Sequence, residues 1–245
     1  MMLSTKNFGF PSQLITRAKG SKIAAILFLI LCITVTNQMH AQEYRPEYHD
    51  LSAGLVGGVN FSQVDGDGYK GYGKTGFTGG GIIYLPFGQV DLPFDATIAL
   101  SMEVLFTQKG AKGDGAIPNS SVLNQKINLQ YAEIPFQLNL YRGPQKSGFG
   151  MGLALGYLAS NEETIEQSGG IVLKNALPFN KFDLNFVLTG NIHLWNGFFL
   201  SPRFQYSMLS IRSGSEDAGY GGRNSQFNNV VALRLMYLFG KISGG

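Results

Sequence analysis

Phe182-Asp183-Leu184-Asn185-Phe186-Val187-Leu188-Thr189-Gly190-Asn191-Ile192-His193-Leu194 alternates with a period of two residues. Phe182, Leu184, Phe186, Leu188, Ile192 and Leu194 share one face. Asp183, Asn185, Thr189, Asn191 and His193 share the other. Successive side chains of a strand point to opposite sides, so this is a strand with one apolar and one polar face. Its thirteen residues exceed the five or six of an ordinary globular strand.

Seven more segments of this kind flank it. The full set is 50–62, 75–87, 96–109, 127–141, 148–160, 179–194, 198–210 and 225–239. A tilted membrane strand needs about 9–11 residues, and most of these segments are that long. Their connections alternate in length. Those at 63–74, 110–126, 161–178 and 211–224 are long, and those at 88–95, 142–147 and 195–197 are short. The last contains Asn196-Gly197, a strong hairpin-turn dipeptide. Outer-membrane barrels pair short periplasmic turns with long external loops. The pattern predicts an all-β fold, an eight-stranded antiparallel transmembrane β-barrel.

Volume decides which face turns inward. A soluble ligand-carrying barrel keeps its apolar face inside. Here that face carries Leu55, Val59, Phe61, Phe77, Leu100, Val104, Phe106, Phe149 and Leu153, among others. An eight-stranded barrel is only just wide enough for side chains to fill, so this set would overfill it. The opposite face offers Gly54, Gly58, Gly80, Ala99, Ser101, Gly150, Gly152 and Ala154. The bulky face is therefore expected against lipid. Two prolines, Pro135 and Pro202, interrupt the scheme, because proline donates no ladder bond. A bulge or a locally missing bond is expected at each. Ile127 and Leu129 lie out of phase with Ile134, Phe136 and Leu138, which calls for a bulge near 130–132 or a strand end beyond the membrane.

The first 41 residues read as a cleavable signal peptide ahead of a barrel domain at 42–245. Lys6, Arg17, Lys19 and Lys22 precede the apolar run Ile23 to Val35, which is too short to span a bilayer. Ala41 suits the residue before cleavage, while Met39 is large for its place. Cys32, the single cysteine, follows Leu31 rather than a small residue, so lipid attachment is not expected. The mature chain then has no thiol, which excludes disulfides and cysteine-held metals. It also loses four basic residues, leaving 15 against 16 acids. The basic balance of the whole chain is thus no nucleic-acid footprint. Only 14% of residues are charged, well below the roughly 25% of soluble domains.

Several stretches resemble one family: Gly57-Gly58-Val59-Asn60-Phe61-Ser62, Lys74-Thr75-Gly76-Phe77, Glu103-Val104-Leu105-Phe106-Thr107-Gln108-Lys109-Gly110 and Tyr131-Ala132-Glu133-Ile134-Pro135. They resemble the PorT-like outer-membrane β-barrel family of the Bacteroidota. That resemblance covers the mature chain and implies an eight-stranded barrel in the outer membrane of a Gram-negative cell. Its partners would be outer-membrane lipid, the β-barrel assembly machinery and secretion or cell-surface proteins. The member that names the family assists type IX secretion. Most relatives have no assigned activity, so secretion is not carried over.

No enzyme, cofactor or metal centre is expected. Asp65-Gly66-Asp67-Gly68 resembles the start of a calcium loop, but Tyr69 and Gly76 stand where further oxygen ligands are needed. Gly148 to Gly152 lacks dinucleotide-binding spacing. His193 lies ten residues from Asp183 on one strand, about 33 Å away, too far for a base and its orienting carboxylate. Tyr69, Lys70, Tyr72, Lys74, Glu162, Glu163 and Glu166 read as loop surface, with a partner site as the alternative.

Parity places Glu103, Glu133, Arg203 and Arg234 on the small-residue face at nearby depths. They are expected to form one structural ion-pair cluster that plugs the pore. Tyr237 and Phe239 end the last strand with lipid-facing aromatics, the expected assembly signal. The function expected is structural, adhesive or accessory. A ligand-binding or narrow-pore barrel is the alternative, and an outer-membrane hydrolase or acyltransferase a third.

Overall fold

The computed structural model describes residues 51–91, 95–116, 121–142, 147–175, 178–213 and 225–239. The segment 1–41, expected to be a signal peptide, and the tail after Phe239 lie outside them. Every regular element among the described residues is a strand. They are β1 (Ser52–Asp65), β2 (Lys74–Asp91), β3 (Asp95–Asp114), β4 (Val122–Arg142) and β5 (Gly148–Gln167). There follow β6 (Ile171–Lys174), β7 (Phe182–Trp195), β8 (Phe198–Ser207), β9 (Arg212–Ser213) and β10 (Ser225–Phe239). Eight of them pair antiparallel in the order β1-β2-β3-β4-β5-β7-β8-β10, and β10 pairs back onto β1. The sheet is a closed ring, as expected. β6 adds to β5 and β9 to β10 at the end away from the short turns.

The register fixes the geometry of the ring. Following paired residues from Ala53 leads through Ile83, Met102, Phe136, Leu153, Phe186, Tyr206 and Asn229, and returns to β1 at Gln63. One circuit therefore climbs ten residues. With about 3.3 Å per residue and about 4.8 Å between strands, the strands tilt about 40° from the axis. That is the tilt of outer-membrane barrels.

The faces are those the alternation predicts. Leu55, Val104, Leu155, Phe182 and Leu235 point outward and are exposed, whereas Ala99, Ser101, Ala154 and Ser201 point inward and are buried. Once the climb is allowed for, Phe61, Phe77, Phe106, Tyr157, Phe182 and Tyr206 fall near one level. Phe87, Trp195, Phe198 and Phe239 mark a second level, with Trp195, Phe198, Tyr237 and Phe239 in ring contact along one side. Ten residues separate the levels along β1, about 25 Å along the axis, the height of an outer-membrane apolar band.

The two prolines each leave a gap without shifting the register. β3 and β4 pair at Met102–Phe136 and again at Leu105–Glu133, so Pro135 and Ile134 are skipped. β7 and β8 pair at Thr189–Arg203 and again at Ile192–Leu200, so Pro202 and Ser201 are skipped. The register shift near Gln130–Tyr131 is present, but the extra residue is Ala159, on β5. From Gln125 to Asn139 β4 itself keeps one phase, and its own extra residue is Leu123 near its start. Ile127, Leu129 and Tyr131 point inward like Glu133 and Gln137. What changes along β4 is its surroundings: above the aromatic level its outward residues are the polar Gln130, Asn128 and Lys126. This upper part stands in water and has an ordinary apolar core.

Several connections are shorter than the sequence suggests. Much of 110–126 belongs to the β3–β4 hairpin, and 161–178 contains the top of β5 and all of β6. The Asn196-Gly197 turn has φ of +39° and +80°, the paired positive values of the turn that joins twisted strands tightly.

Candidate functional site

The inward side chains form layers. The lowest is apolar, with Val56, Ile82, Tyr84, Phe199, Met236 and Leu238 packed together. Asn191 Nδ2 donates to the Tyr141 hydroxyl at 3.2 Å beside it.

Above this layer lies Glu103, 1% exposed. Arg203 Nη2 donates to its Oε1 at 2.5 Å, and Arg234 Nη1 to its Oε2 at 2.9 Å. β3 and β8 are four places apart in a ring of eight, so the Arg203 contact spans the barrel. Gln137 Nε2 donates to Glu103 Oε1, Thr189 donates to Gln137, and Arg203 Nε donates to Thr189. Arg234 Nη2 is held by Ser201. Burying two guanidiniums and one carboxylate is tolerable because each is paired and hydrogen-bonded.

Glu133 departs from the expectation. Among the described residues, no guanidinium is paired with it. Its partner is Lys109, whose Nζ lies 2.6 Å from Oε1 and 3.3 Å from Asp183 Oδ2. Gln205 Nε2 also donates to Glu133 Oε1 at 3.0 Å. Asn228 Nδ2 donates to Asp183 Oδ2, and Lys109 donates to Asn185 Oδ1. The four residues expected in one cluster therefore occupy two. The lower carries two guanidiniums and one carboxylate, and the upper one ammonium and two carboxylates, so the pair is neutral together. Depths counted from strand ends ignore the ten-residue climb, and this displaced Glu133.

A second apolar layer follows, with Val64, Ile127, Leu129, Leu158, Phe179 and Ile211. Above it Arg212 meets Glu163 side on, Nη1 to Oε1 at 2.9 Å and Nη2 to Oε2 at 2.8 Å. Gln125 donates to the same carboxylate, and the guanidinium sits over the Phe179 ring. Glu163 had the look of loop surface, but it is fully buried, while Glu162 and Glu166 beside it are exposed.

The remaining candidates are placed as follows. Tyr237 and Phe239 point outward and touch edge to face, 5.3 Å apart. The Tyr69 hydroxyl donates to the Gly115 carbonyl, and that of Tyr72 to Asn229 Oδ1. Lys70 is exposed. His193 lies at the lower rim against Phe199, ring centres 5.1 Å apart, and its backbone N–H donates to Ser147. It is remote from Asp183, ten residues up the same strand. Among the described residues, no three His, Cys, Asp or Glu side chains are placed to hold a metal. In the first external loop Asp67 accepts from the Tyr69 N–H at 2.8 Å. Burial pushes its carboxyl up to about 6 against that bond, and the Asp65 charge adds to the rise.

Residues 40–212 match the family model described as outer membrane protein beta-barrel domain. The chain belongs to that family. The barrel is accordingly an outer-membrane protein. Among solved structures it is similar to Ail, the attachment invasion locus protein of Yersinia pestis, solved with the heparin analogue sucrose octasulfate. Identity is 14%, the match covers 78% of this chain and 99% of Ail, and the TM-score is 0.44. It is also similar to Neisserial surface protein A, at 12% identity, over 77% of this chain and 98% of the other, with a TM-score of 0.42. No curated protein matches the barrel.

Proposed function

We propose that the barrel is a plugged, non-conducting and non-enzymatic protein with a structural, adhesive or accessory role exercised from its external end. The observation that supports this reading is the filling of the interior. Two apolar layers and three sets of paired charges succeed one another from Leu238 to Arg212, each built from buried side chains. A water-filled path would separate these partners, and unpaired charges there would be costly. The external end, by contrast, is elaborate. β4 runs ten residues past Ala132, about 25 Å above the upper aromatic level at this tilt. There Ile171 and Val172 of β6 are exposed on a strand paired to β5.

In this reading, residues 1–41 direct export, and the assembly machinery inserts the strand ending at Tyr237 and Phe239. The Gln108-Lys109-Gly110 and Glu133-Ile134-Pro135 pieces support a place in the PorT-like branch of the Bacteroidota. Lys109 and Glu133 form one buried pair, which gives both pieces the same structural reason.

Planar-bilayer recording of the purified barrel is the test. The expected trace stays at baseline. Stepwise openings would refute the plugged lumen and favour the narrow-pore alternative. Turnover of ester or phospholipid substrates in detergent would refute the non-enzymatic reading. Loss of type IX cargo from the surface of a deletion strain would add a secretion role.

A further inference from the structure

β6 ends the tall wall formed by β3, β4 and β5, and one of its edges is open. Among the described residues it pairs only with β5, at Ile171–Gln167, Val172–Glu166, Leu173–Ile165 and Lys174–Thr164. Just below, the Asn175 N–H donates to the Glu163 carbonyl at 3.0 Å. In an antiparallel ladder every second residue turns its N–H and C=O toward a given neighbour. The Asn175 bond sets the phase. Leu173 and Ile171 turn their backbone groups to β5, and Val172 and Lys174 turn theirs to the open edge. Two N–H and two C=O groups therefore line that edge.

The usual protections of a sheet edge are missing. β6 has no proline and no bulge, and no described strand covers it. Ile171 is 54% exposed and Val172 53%. Leu173 packs against Val122 and Ile165, so the inward side of the edge is apolar as well. Lys174, exposed at the lower end, has no ion pair among the described residues. The edge is also clear of lipid. Ile165, opposite Leu173, stands seven ladder steps above Tyr157, eight residues less the extra Ala159. That is about 18 Å above the upper aromatic level at this tilt.

We propose that the open edge of β6 takes up an extended segment of another protein as an added strand. The segment runs antiparallel to β6, and its chemistry follows from what it faces. Val172 and Lys174 each exchange two backbone bonds with it, and side chains on alternate faces give the selectivity. An acidic residue stands opposite Lys174. β-Branched apolar residues stand opposite Leu173, Val172 and Ile171. Opposite charges and β-branched pairs are the favourable cross-strand neighbours. A second copy of the barrel does not fit. Copies in one membrane share one upright direction, so two β6 edges brought together cross at twice the tilt, about 80°, and form no ladder. The proposal rests on the reading that the barrel acts from its external end, and it names the kind of partner engaged there.

The test uses the whole barrel, residues 42–245, in lipid nanodiscs and the labelled peptide Gly-Ser-Glu-Val-Val-Val-Ser-Gly, read by fluorescence anisotropy. Saturable binding is expected below about 1 mM. In the added strand the N–H of the middle Val faces β6, and that of the first Val faces away. N-methylation of the middle Val should therefore weaken binding about tenfold, and N-methylation of the first should leave it unchanged. Lys174→Glu should weaken the peptide about threefold and favour its Glu-to-Lys counterpart. Val172→Pro removes an edge donor but no bond to β5, and should cost about tenfold. If that variant does not insert, the two methylated peptides on the wild-type barrel decide. Absence of binding at 1 mM would overturn the proposal, as would equal effects of the two methylations or indifference to Lys174→Glu. A barrel dimer that the peptide dissociates would also overturn it, by giving the edge to a second copy. External placement is read separately, by labelling Ser168→Cys in intact cells with an impermeant maleimide. Absence of label would sink the external reading, while the peptide results would still decide whether the edge binds a strand.

Discussion

Arg203 reaches across the whole barrel to place its Nη2 2.5 Å from Oε1 of Glu103. The contact ties β8 to β3, opposite walls of the ring, and Arg234 of β10 closes the same carboxylate from its other side. Three strands are thereby held at one register by one side chain.

Glu103→Ala should therefore destabilise the folded barrel by about 3–5 kcal/mol, the cost of leaving buried guanidiniums unpaired. Urea unfolding in lipid measures it. Removing Glu103 and Arg234 together should cost clearly less than the sum of the single changes, because the second change removes a charge the first left stranded. Additive losses would show the contacts to be energetically idle.

Neighbouring glycines on β1 should respond in opposite ways. A Cβ on Gly58 would run into the Leu233 carbonyl oxygen and the Arg234 backbone, whereas one on Gly57 faces only the Thr78 oxygen at 3.8 Å. Gly58→Ala should lower folded yield and stability by about 1–3 kcal/mol, the range of overpacked sites. Gly57→Ala, facing lipid, should be neutral within about 0.5 kcal/mol. Comparable effects at both positions would contradict the assignment of faces.

The first external loop should depend on pH through Asp67. Its folded pKa of about 6 is above its ordinary 3.8, so the folded loop holds the proton more tightly. The loop is then most stable below about pH 4 and loses stability as pH rises from about 4 to 6, by at most about 3 kcal/mol. Asp67→Asn keeps an acceptor for the Tyr69 N–H, and it should protect the loop at pH 7 while flattening this dependence. Hydrogen exchange at Gly66 to Lys70 reads both. An Asn variant that exchanges faster at pH 7 would show that the carboxylate is stabilising.

Truncation tests the last strand. Removal of 237–245 takes away Tyr237 and Phe239, which pair with Leu55 and Ala53 to close the ring. Membrane assembly should be abolished. Removal of 241–245 should have little effect. A heat-modifiable gel shift separates the outcomes, and equal insertion of both truncations would contradict the closing role.

The ring and its faces were legible because the period-two pattern is a direct record of lipid on one side and a narrow interior on the other. The pairing of Glu103 with the two arginines was legible because parity alone puts all three inside. Lys109 was missed although its parity matches that of Glu103, since a lysine two residues beyond Thr107 reads as a strand end. Asp183 was seen on the polar face but given no partner. Strand ends were misjudged for one physical reason. Above the aromatic level the outside is wet and the inside apolar, so Ile127 and Leu129 look out of phase although β4 keeps one phase from Gln125 to Asn139. Glu163 was hidden for the same reason, together with the extra residue at Ala159.

The central claim is that the bulky face of each strand meets lipid while the interior is filled. Residues 42–245 contain no cysteine, so spin labels can be attached one at a time along β10 of that segment. Labels at Val231, Leu233 and Leu235 should be mobile and open to oxygen dissolved in the bilayer, and labels at Val230, Ala232 and Met236 immobile and closed to it. The reverse pattern, with the odd positions buried and the even ones open to water-soluble quenchers, would contradict the account.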